Sequence, residues 1–313
     1  MKQVAVSILF ATYKRGEILR ITLDSFAKLS PGQFTYEIIV IDNACEHQIA
    51  NLVSSYQTLL PIRYLQEPAP GKNSALITGL LHATGEILVF TDDDVIADPE
   101  WLNSLVAGIE RLPEYDLFGG RILPSLPDNA EDKHGLLQRS GSFIKSAYVI
   151  ADWPLPEGPI KVGHIWGPNM AVRRRVFDSG ITFDPKIGPN GGNYIMGSES
   201  DFLNRAASKG FKGAYIPSAQ VRHQIRPEQL TIDWLAGRAF RWGRGSVKRT
   251  PPASKFMFLN APLYLYRKCL TEYVVYRWAS LLGTSDWIEK MIAFNITKGA
   301  LVQMVQDRNT RSS

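Results

Sequence analysis

Glu86-Ile87-Leu88-Val89-Phe90-Thr91-Asp92-Asp93-Asp94-Val95 is the stretch on which the fold turns. A short apolar run ends without warning in three consecutive aspartates. The apolar part reads as a buried strand. The aspartates then stand at its carboxyl end rather than on a solvated helix. Working back from it, residues 4–11 form another short apolar run, closed by Thr12-Tyr13-Lys14-Arg15. Ile18, Leu19, Leu23 and Phe26 follow at helical spacing, and Pro31-Gly32 ends that helix. Residues 37–41 predict a second strand that stops at Asp42-Asn43, residues 49–59 a helix, and residues 62–65 a third strand. A helix is predicted from the Pro68-Pro70-Gly71 region through Ala83. On the far side of the aspartates, Pro99-Glu100-Trp101 opens a further helix, with Pro in a permitted first-turn position.

Strand and helix thus alternate over the first 110 residues, which predicts an α/β fold: a mostly parallel sheet flanked by helices. In such sheets the ligand crevice lies outside the carboxyl ends of the strands. Thr12-Tyr13, Asp42-Asn43 and Asp92-Asp93-Asp94 all fall there, and that convergence marks the site. Residues 115–165 read as mixed and loop-rich, 167–177 as apolar again, and 185–197 as a Gly/Asn-rich loop that is a candidate mobile lid. Residues 198–208 predict a helix and 213–221 a strand. The character changes past residue 225, so the division expected is a domain over 1–225 and a basic, aromatic helical extension over 226–313.

The chain has 313 residues, a formal net charge of +5 and a pI of about 9.1. It is globular in composition, with 45% hydrophobic and 21% charged residues. Mild basicity suits an anionic ligand or a membrane surface. Cys45 and Cys269 are the only cysteines, which argues against a disulfide framework or a cysteine zinc site and for a reducing compartment. The first residues read as a buried strand rather than a signal peptide, and no apolar run of about 18 residues suggests a membrane span. The expected location is therefore cytoplasmic, with peripheral contact to the inner face of the cell membrane.

Three adjacent aspartates repel one another and call for countercharge. A hard divalent cation with oxygen ligands, Mg²⁺ or Mn²⁺, supplies it and can also neutralise a diphosphate leaving group. An acidic turn capping the next helix is the competing reading, and the position after a buried strand favours the metal.

With these pieces in place the chain resembles the family 2 glycosyltransferases of GT-A (Rossmann-like) fold. The matching segments are Ser7-Ile8-Leu9-Phe10-Ala11-Thr12-Tyr13-Lys14-Arg15, Val40-Ile41-Asp42-Asn43, Gly71-Lys72-Asn73-Ser74-Ala75-Leu76, the stretch ending in the aspartates, and Gly197-Ser198-Glu199-Ser200-Asp201-Phe202-Leu203, in the family's order. The resemblance covers residues 3–225, with 1–115 as the nucleotide-binding half and 116–225 as the acceptor half. It implies a nucleotide-sugar donor, a divalent metal and inversion at the anomeric carbon. It implies that Thr12, Tyr13 and Arg15 line the nucleotide pocket and that Asp42 contacts the base, unless Asp42 merely caps a turn. Lys72 would meet the diphosphate or the sugar, Asp92 and Asp93 ribose or sugar hydroxyls, and Asp94 the metal, with Asp92 and His223 as further metal contacts.

Inverting transfer needs a base that takes the acceptor hydroxyl's proton on the face opposite the leaving diphosphate. Glu199 falls where the family carries its catalytic aspartate, with Asp201 as the fallback; two acids on a helix's first turn are also favoured by the macrodipole alone. Two departures stand out: the longer Glu199, and Leu76-Ile77 where relatives carry polar residues. Trp166 and Asn169 resemble the acceptor-side segment, Trp166 by stacking on a sugar and Asn169 as a polar contact. The run Arg173-Arg174-Arg175 after them reads as solvated surface.

From residue 222 to residue 268 there are ten Lys or Arg and two acids, Glu228 and Asp233. Arg238 and Arg241 share a helix face suited to a diphosphate or an anionic acceptor. Residues 256–282 read as a basic amphipathic helix able to lie in a membrane interface, or to pack on the catalytic domain or a second subunit. No nucleic-acid module signature is present, so no nucleic-acid partner is expected. The resulting expectation is a transferase using a nucleotide-sugar, UDP-linked, and a glycan or lipid-linked acceptor. A nucleotidyltransferase and an inactive sugar-nucleotide-binding subunit are the alternatives.

Overall fold

The computed structural model of the chain describes residues 5–127, 130–187, 197–249 and 254–309. Their elements, in chain order, begin with β1 (Ala5–Thr12), α1 (Gly16–Phe26), β2 (Thr35–Asp42), α2 (His47–Ser55), β3 (Ile62–Gln66), α3 (Lys72–His82) and β4 (Ile87–Phe90). There follow β5 (Val95–Ala97), α4 (Trp101–Arg111), β6 (Leu117–Ser125), α5 (Ser142–Tyr148), β7 (Gly158–Pro159), β8 (Met170–Arg173), α6 (Arg174–Asp178), α7 (Ser198–Ser208) and β9 (Gly213–Gln224). The last are α8 (Ile232–Arg249), β10 (Met257–Phe258), β11 (Ala261–Pro262), α9 (Leu263–Leu282) and α10 (Trp287–Asn309).

The chain divides into two compact units: Met1–Leu126 with Tyr148–Gln224, and Pro127–Ala147 with Ile225–Ser313. The second unit joins to the C-terminal stretch from Ile225 the earlier segment 127–147. That segment is held there by Arg139 Nη1, which donates to both carboxylate oxygens of Glu289 at 2.7 and 2.9 Å, and by Phe143, edge-on to Trp242.

In the first unit the sheet runs β3-β2-β1-β4-β8-β6-β9-β5, with β7 on β9. β3, β2, β1 and β4 are parallel, as the alternating sequence predicts. β8 and β5 run antiparallel to their neighbours. Successive side chains of a strand face opposite ways, and here both faces are covered. Ile8, Phe10, Val40 and Val89 pack with Leu19, Leu23, Leu105 and Trp101 on one side. Leu9, Ile39, Ile41, Leu88 and Phe90 pack with Leu76, Phe202 and Leu203 on the other. The near-continuous apolar strands are the sequence form of this two-sided burial.

Arg173 and Arg174 depart from the expected solvated surface, while Arg175 is exposed. Arg173 donates to the Ile109 and Tyr115 carbonyls and Arg174 to the Ala83 and Gly85 carbonyls, all at 2.7–2.9 Å. The guanidinium groups satisfy carbonyls at and just past the C-terminal ends of α4 and α3, where both the free carbonyls and the dipole favour a cation. Arg175 pairs with Asp116.

In the second unit α8 and α10 cross in backbone contact. A Cβ on Gly243 would run into the Ile296 carbonyl and one on Gly299 into the Phe240 carbonyl, so only glycine permits the approach. Val247, Ala261, Leu265, Ala300 and Met304 form the core. The hairpin β10–β11 turns at Leu259 and Asn260, with φ of 44° and 64°, the left-handed pair that a two-residue hairpin requires. Among the described residues no helix is long and apolar enough to cross a membrane.

Candidate active site

The parallel strands deliver three polar clusters to one end of the sheet. β1 ends at Thr12, paired in register with Asp42 of β2, and Asp92–Asp94 follow β4 on the other side of β1. The triplet is pinned by its surroundings. The Thr22 hydroxyl donates to the Asp93 carbonyl, and the Gln224 amide to the Asp94 carbonyl, both at 2.8 Å. Thr12 Oγ1 donates to Asp93 Oδ2 at 2.8 Å, and Arg15 Nη1 lies 3.2 Å from both Asp93 Oδ1 and Asp94 Oδ2.

Lys72 opens α3 and Glu199 lies in the first turn of α7, so two helix N-termini on the same sheet face converge. Gly197, at φ 108°, lets the chain enter α7. Lys72 Nζ lies 2.6 Å from Asp92 Oδ1 and 2.8 Å from Glu199 Oε1. An ammonium at a helix N-terminus opposes the dipole, and the two carboxylates offset that cost. Glu199 rests against Gly167: a Cβ there would lie 2.6 Å from Glu199 Oε1. Asn73 sits behind Lys72, donating to the Asp184 carbonyl at 2.7 Å and accepting from the Ser198 hydroxyl.

The electrostatics follow from burial and pairing. Burial alone would raise the Glu199 carboxyl, but the Lys72 charge holds it below the ordinary glutamate range. Lys72 is likewise penalised by burial and raised by Asp92 and Glu199, so its ammonium is firmly protonated. Burial raises Asp92 and, with the neighbouring Asp94 charge, pushes Asp93 up to about 6. Asp94 resists its own burial: His223 and Arg15 hold it down at about 2. Of the adjacent acids, Asp94 ionises first.

Metal holding can be tested on the side chains. The buried Asp94 Oδ1 receives no hydrogen bond among the described residues, and His223 Nε2 stands 3.5 Å away. A buried carboxylate oxygen without a donor, beside an imidazole nitrogen, fits a divalent cation. Among the described residues no third His, Cys, Asp or Glu completes a cage. The remaining ligands would be oxygens from substrate or water, the pattern of Mg²⁺ held by one or two carboxylates and phosphates. Of the expected set Asp94, Asp92 and His223, Asp94 and His223 stand together at this oxygen, while Asp92 is paired with Lys72.

The same geometry gives the surroundings of the other expected site residues. Asp42 is fully buried; its Oδ1 accepts from the Ala44 amide at 2.8 Å, and its Oδ2 from the Glu46 amide at 2.7 Å and Tyr64 Oη at 2.9 Å. It caps the turn into α2, the alternative its position left open. Asn169 is also fully buried, donating to the Arg121 and Ala219 carbonyls and accepting from Trp101 Nε1, each at 2.9 Å, which leaves nothing for an acceptor. Asp201 turns along α7 to Arg205, 2.7 Å away, and takes no part in the Lys72 bridge. Thr12 is buried against Asp93 rather than lining a pocket, whereas Tyr13 is 56% exposed. Trp166 is half-buried and set edge-on to Trp153, beside the Gly167 on which Glu199 rests. The candidate lid falls largely on residues 188–196, outside the described residues. Asn73, Gly167, Thr22 and Gln224 were not singled out from sequence. Asn73 lay inside a quoted motif, and Gly167 next to Trp166, so position was the available signal.

Residues 7–180 match the sequence model of glycosyl transferase family 2. Among curated relatives, the succinoglycan biosynthesis protein ExoM of Rhizobium meliloti is 27% identical over 246 residues, 76% of this chain and 73% of that one. The glucosyl-dolichyl phosphate glucuronosyltransferase of Haloferax volcanii is 22% identical over 245 residues, 76% of this chain and 75% of that one. Among solved structures, the mannosyltransferase PcManGT from Pyrobaculum calidifontis, in complex with GDP-Man and Mn²⁺, superposes with a TM-score of 0.62 at 16% identity, over 98% of this chain and 89% of that one. TarS of S. aureus in complex with UDP gives 0.53, also at 16% identity, over 97% and 92%. At such identities the superpositions establish the GT-A fold alone. The family pattern, however, runs through more than half of the chain and through the strand ends and the aspartate triplet, and by it the chain belongs to glycosyl transferase family 2 and is a glycosyltransferase.

Proposed function

We propose that the enzyme is a metal-dependent, inverting glycosyltransferase that carries a sugar from a nucleoside diphosphate, UDP by preference, to a hydroxyl of a glycan or lipid-linked acceptor in polysaccharide or glycolipid synthesis. The observation that carries this reading is the Lys72 bridge: one ammonium stands between the carboxylate in the position of the base, Glu199, and the first aspartate of the triplet. Donor side and acceptor side are thereby within one side chain of each other. The names of ExoM and of the Haloferax enzyme support a saccharide or lipid-linked acceptor, and the UDP bound to TarS supports the choice of nucleotide.

Glu199 takes the proton of the acceptor hydroxyl as that oxygen bonds to the anomeric carbon and the bond from that carbon to the diphosphate breaks. The nucleoside diphosphate leaves with the bonding pair. Held ionised by Lys72, Glu199 is ready to accept a proton but is a weak base while the pair lasts. An incoming diphosphate competes for the Lys72 charge. Once Lys72 swings toward it, burial raises Glu199 and strengthens it as a base with the donor already in place. Asp94 and His223 would hold the divalent cation, which supplies neutralisation of the leaving diphosphate. Arg15 braces Asp93 and Asp94 from the other side.

The test is a panel of UDP-, GDP-, dTDP- and CMP-sugars, each with Mn²⁺ or EDTA, read for binding and nucleotide release. Metal-dependent binding of one donor, weakened on the order of 100-fold by Asp94→Ala, is the expected result. No binding of any donor to the folded protein with metal present would overturn the reading.

A further inference from the structure

Helix α9 carries its large apolar side chains on the wrong side for a soluble protein. Leu265 and Ala279 are buried and Tyr276 stacks on Phe294 of α10, so the inward contact of the helix is already made. Yet Leu263, Leu270, Val274, Trp278 and Leu281 recur at intervals of seven, four, four and three residues and share one outward face. Leu270 is 66%, Trp278 60% and Leu281 77% exposed. The preceding hairpin extends this face: Phe256 is 74% and Phe258 56% exposed. Tyr266 Oη donates to the Phe258 carbonyl at 2.9 Å, and the two rings meet edge-on at 5.7 Å, which ties the hairpin to the flank of α9. Leu259 at its tip is exposed and left-handed at φ 44°, a conformation costly for leucine. A residue that is both strained and apolar in solvent points to a use for it.

We propose that this face of α9 and the hairpin tip dock on a lipid bilayer carrying anionic headgroups. Arg267 lies within one turn of Leu263 and Leu270 on the stripe, and Arg277 and Lys268 are exposed as well. The only carboxylate of α9, Glu272, is half-buried on the inward side, 3.8 Å from Lys268. Long basic stems lie along an apolar surface and deliver their charges to headgroups. The charges also keep the helix from qualifying as a span, so it lies in the interface. Pairing with a second copy fits less well: a two-fold contact would set this patch on itself, bringing Arg267 and Arg277 together with no exposed carboxylate of α9 to meet them. The surface is independent of the chemistry proposed above.

The experiment is flotation of the full chain with vesicles of phosphatidylcholine alone or with one-third phosphatidylglycerol, alongside light scattering of the free protein. The wild type floats with the anionic vesicles and is released by salt, and its tryptophan emission shifts blue, a shift that Trp278→Phe loses. Arg267→Gln and Arg277→Gln each weaken binding roughly fivefold. Leu270→Ser with Leu281→Ser abolishes it while the melting temperature holds, since both leucines are exposed. Failure of the folded wild type to float, flotation undiminished in the double leucine variant, or a dimer in solution that the leucine substitutions split would each overturn the proposal, the last assigning the surface to a second copy.

Discussion

β2 and β4 flank β1, run parallel to it, and end in carboxylates that are used in opposite ways. Asp42 is closed on its own chain: two backbone amides and a tyrosine hydroxyl occupy it, and no water reaches it. Asp92–Asp94 are met mainly by side chains, the cations Lys72 and Arg15 and the imidazole of His223, and Asp94 keeps an oxygen without a donor among the described residues. A carboxylate satisfied by backbone has been committed to folding. One balanced by flexible cations can exchange those partners for a ligand's charges. Position at a strand end therefore marks where a site can be, and the identity of the partners decides which acids belong to it.

The sharpest way to break this contrast lies on the open side. Glu199→Gln keeps the shape of the residue beside Lys72 but cannot take a proton. Steady-state kinetics should show kcat lower by on the order of 10³-fold with donor binding retained. Normal turnover would remove Glu199 as the base and with it the functional meaning of the Lys72 bridge. On the closed side, Asp42→Ala strands the Ala44 and Glu46 amides. Urea unfolding should show a loss of about 2–3 kcal/mol, with donor affinity of the folded enzyme unchanged. A selective fall in donor affinity without that destabilisation would place Asp42 back among the ligand contacts.

The smallest expected effect concerns pH, measured as unfolding in EDTA. Asp93 is raised from 3.8 to about 6 by burial and by Asp94. Between about pH 4 and pH 6 the unfolded chain has released this proton while the folded chain retains it. The folded state then binds more protons, and stability falls as pH rises through that window. Asp94, lowered to about 2, acts in the opposite sense below pH 4, where stability rises with pH. Asp93→Asn should remove the decline between pH 4 and 6, worth about 1–2 kcal/mol. An unaltered profile would mean that Asp93 is not the group that retains the proton.

Strand and helix order through residue 111, the three-residue β5 (Val95–Ala97) apart, was legible because two-sided burial writes itself as apolar runs broken by polar strand ends. α7 was expected over residues 198–208 and is found at Ser198–Ser208. What was not legible is set by tertiary partners. β6 lay in a segment read as loop-rich, partly because Gly119-Gly120 weakens any strand pattern. Both positions are nonetheless crowded: a Cβ on Gly119 would press on Ile165, and one on Gly120 would clash with Asn169 and the Ala219 carbonyl. Residues 173–175 looked like surface because nothing local reveals that Arg173 and Arg174 meet the carbonyl ends of α4 and α3. In the site, the triplet, Lys72 and Glu199 could be picked out as residue types at strand and helix ends. That Lys72 would sit between Asp92 and Glu199, and that Asn169 would be used up by the fold, depends on contacts between segments tens of residues apart; the turn that Asp42 caps is local, and was one of the two readings its position allowed.

The bond pattern of Asn73 carries a practical consequence. Its side-chain amide fastens the Asp184 carbonyl and the Ser198 hydroxyl to the start of α3, so the two margins of residues 188–196 share a common anchor beside the base. One side chain thus ties residues 184 and 198 to the residue next to Lys72, and Ser198 is the neighbour of Glu199. Both charged partners of the bridge are therefore registered to each other through an uncharged pair one position away, so the ammonium and the carboxylate are set in place by bonds between groups that carry no charge themselves.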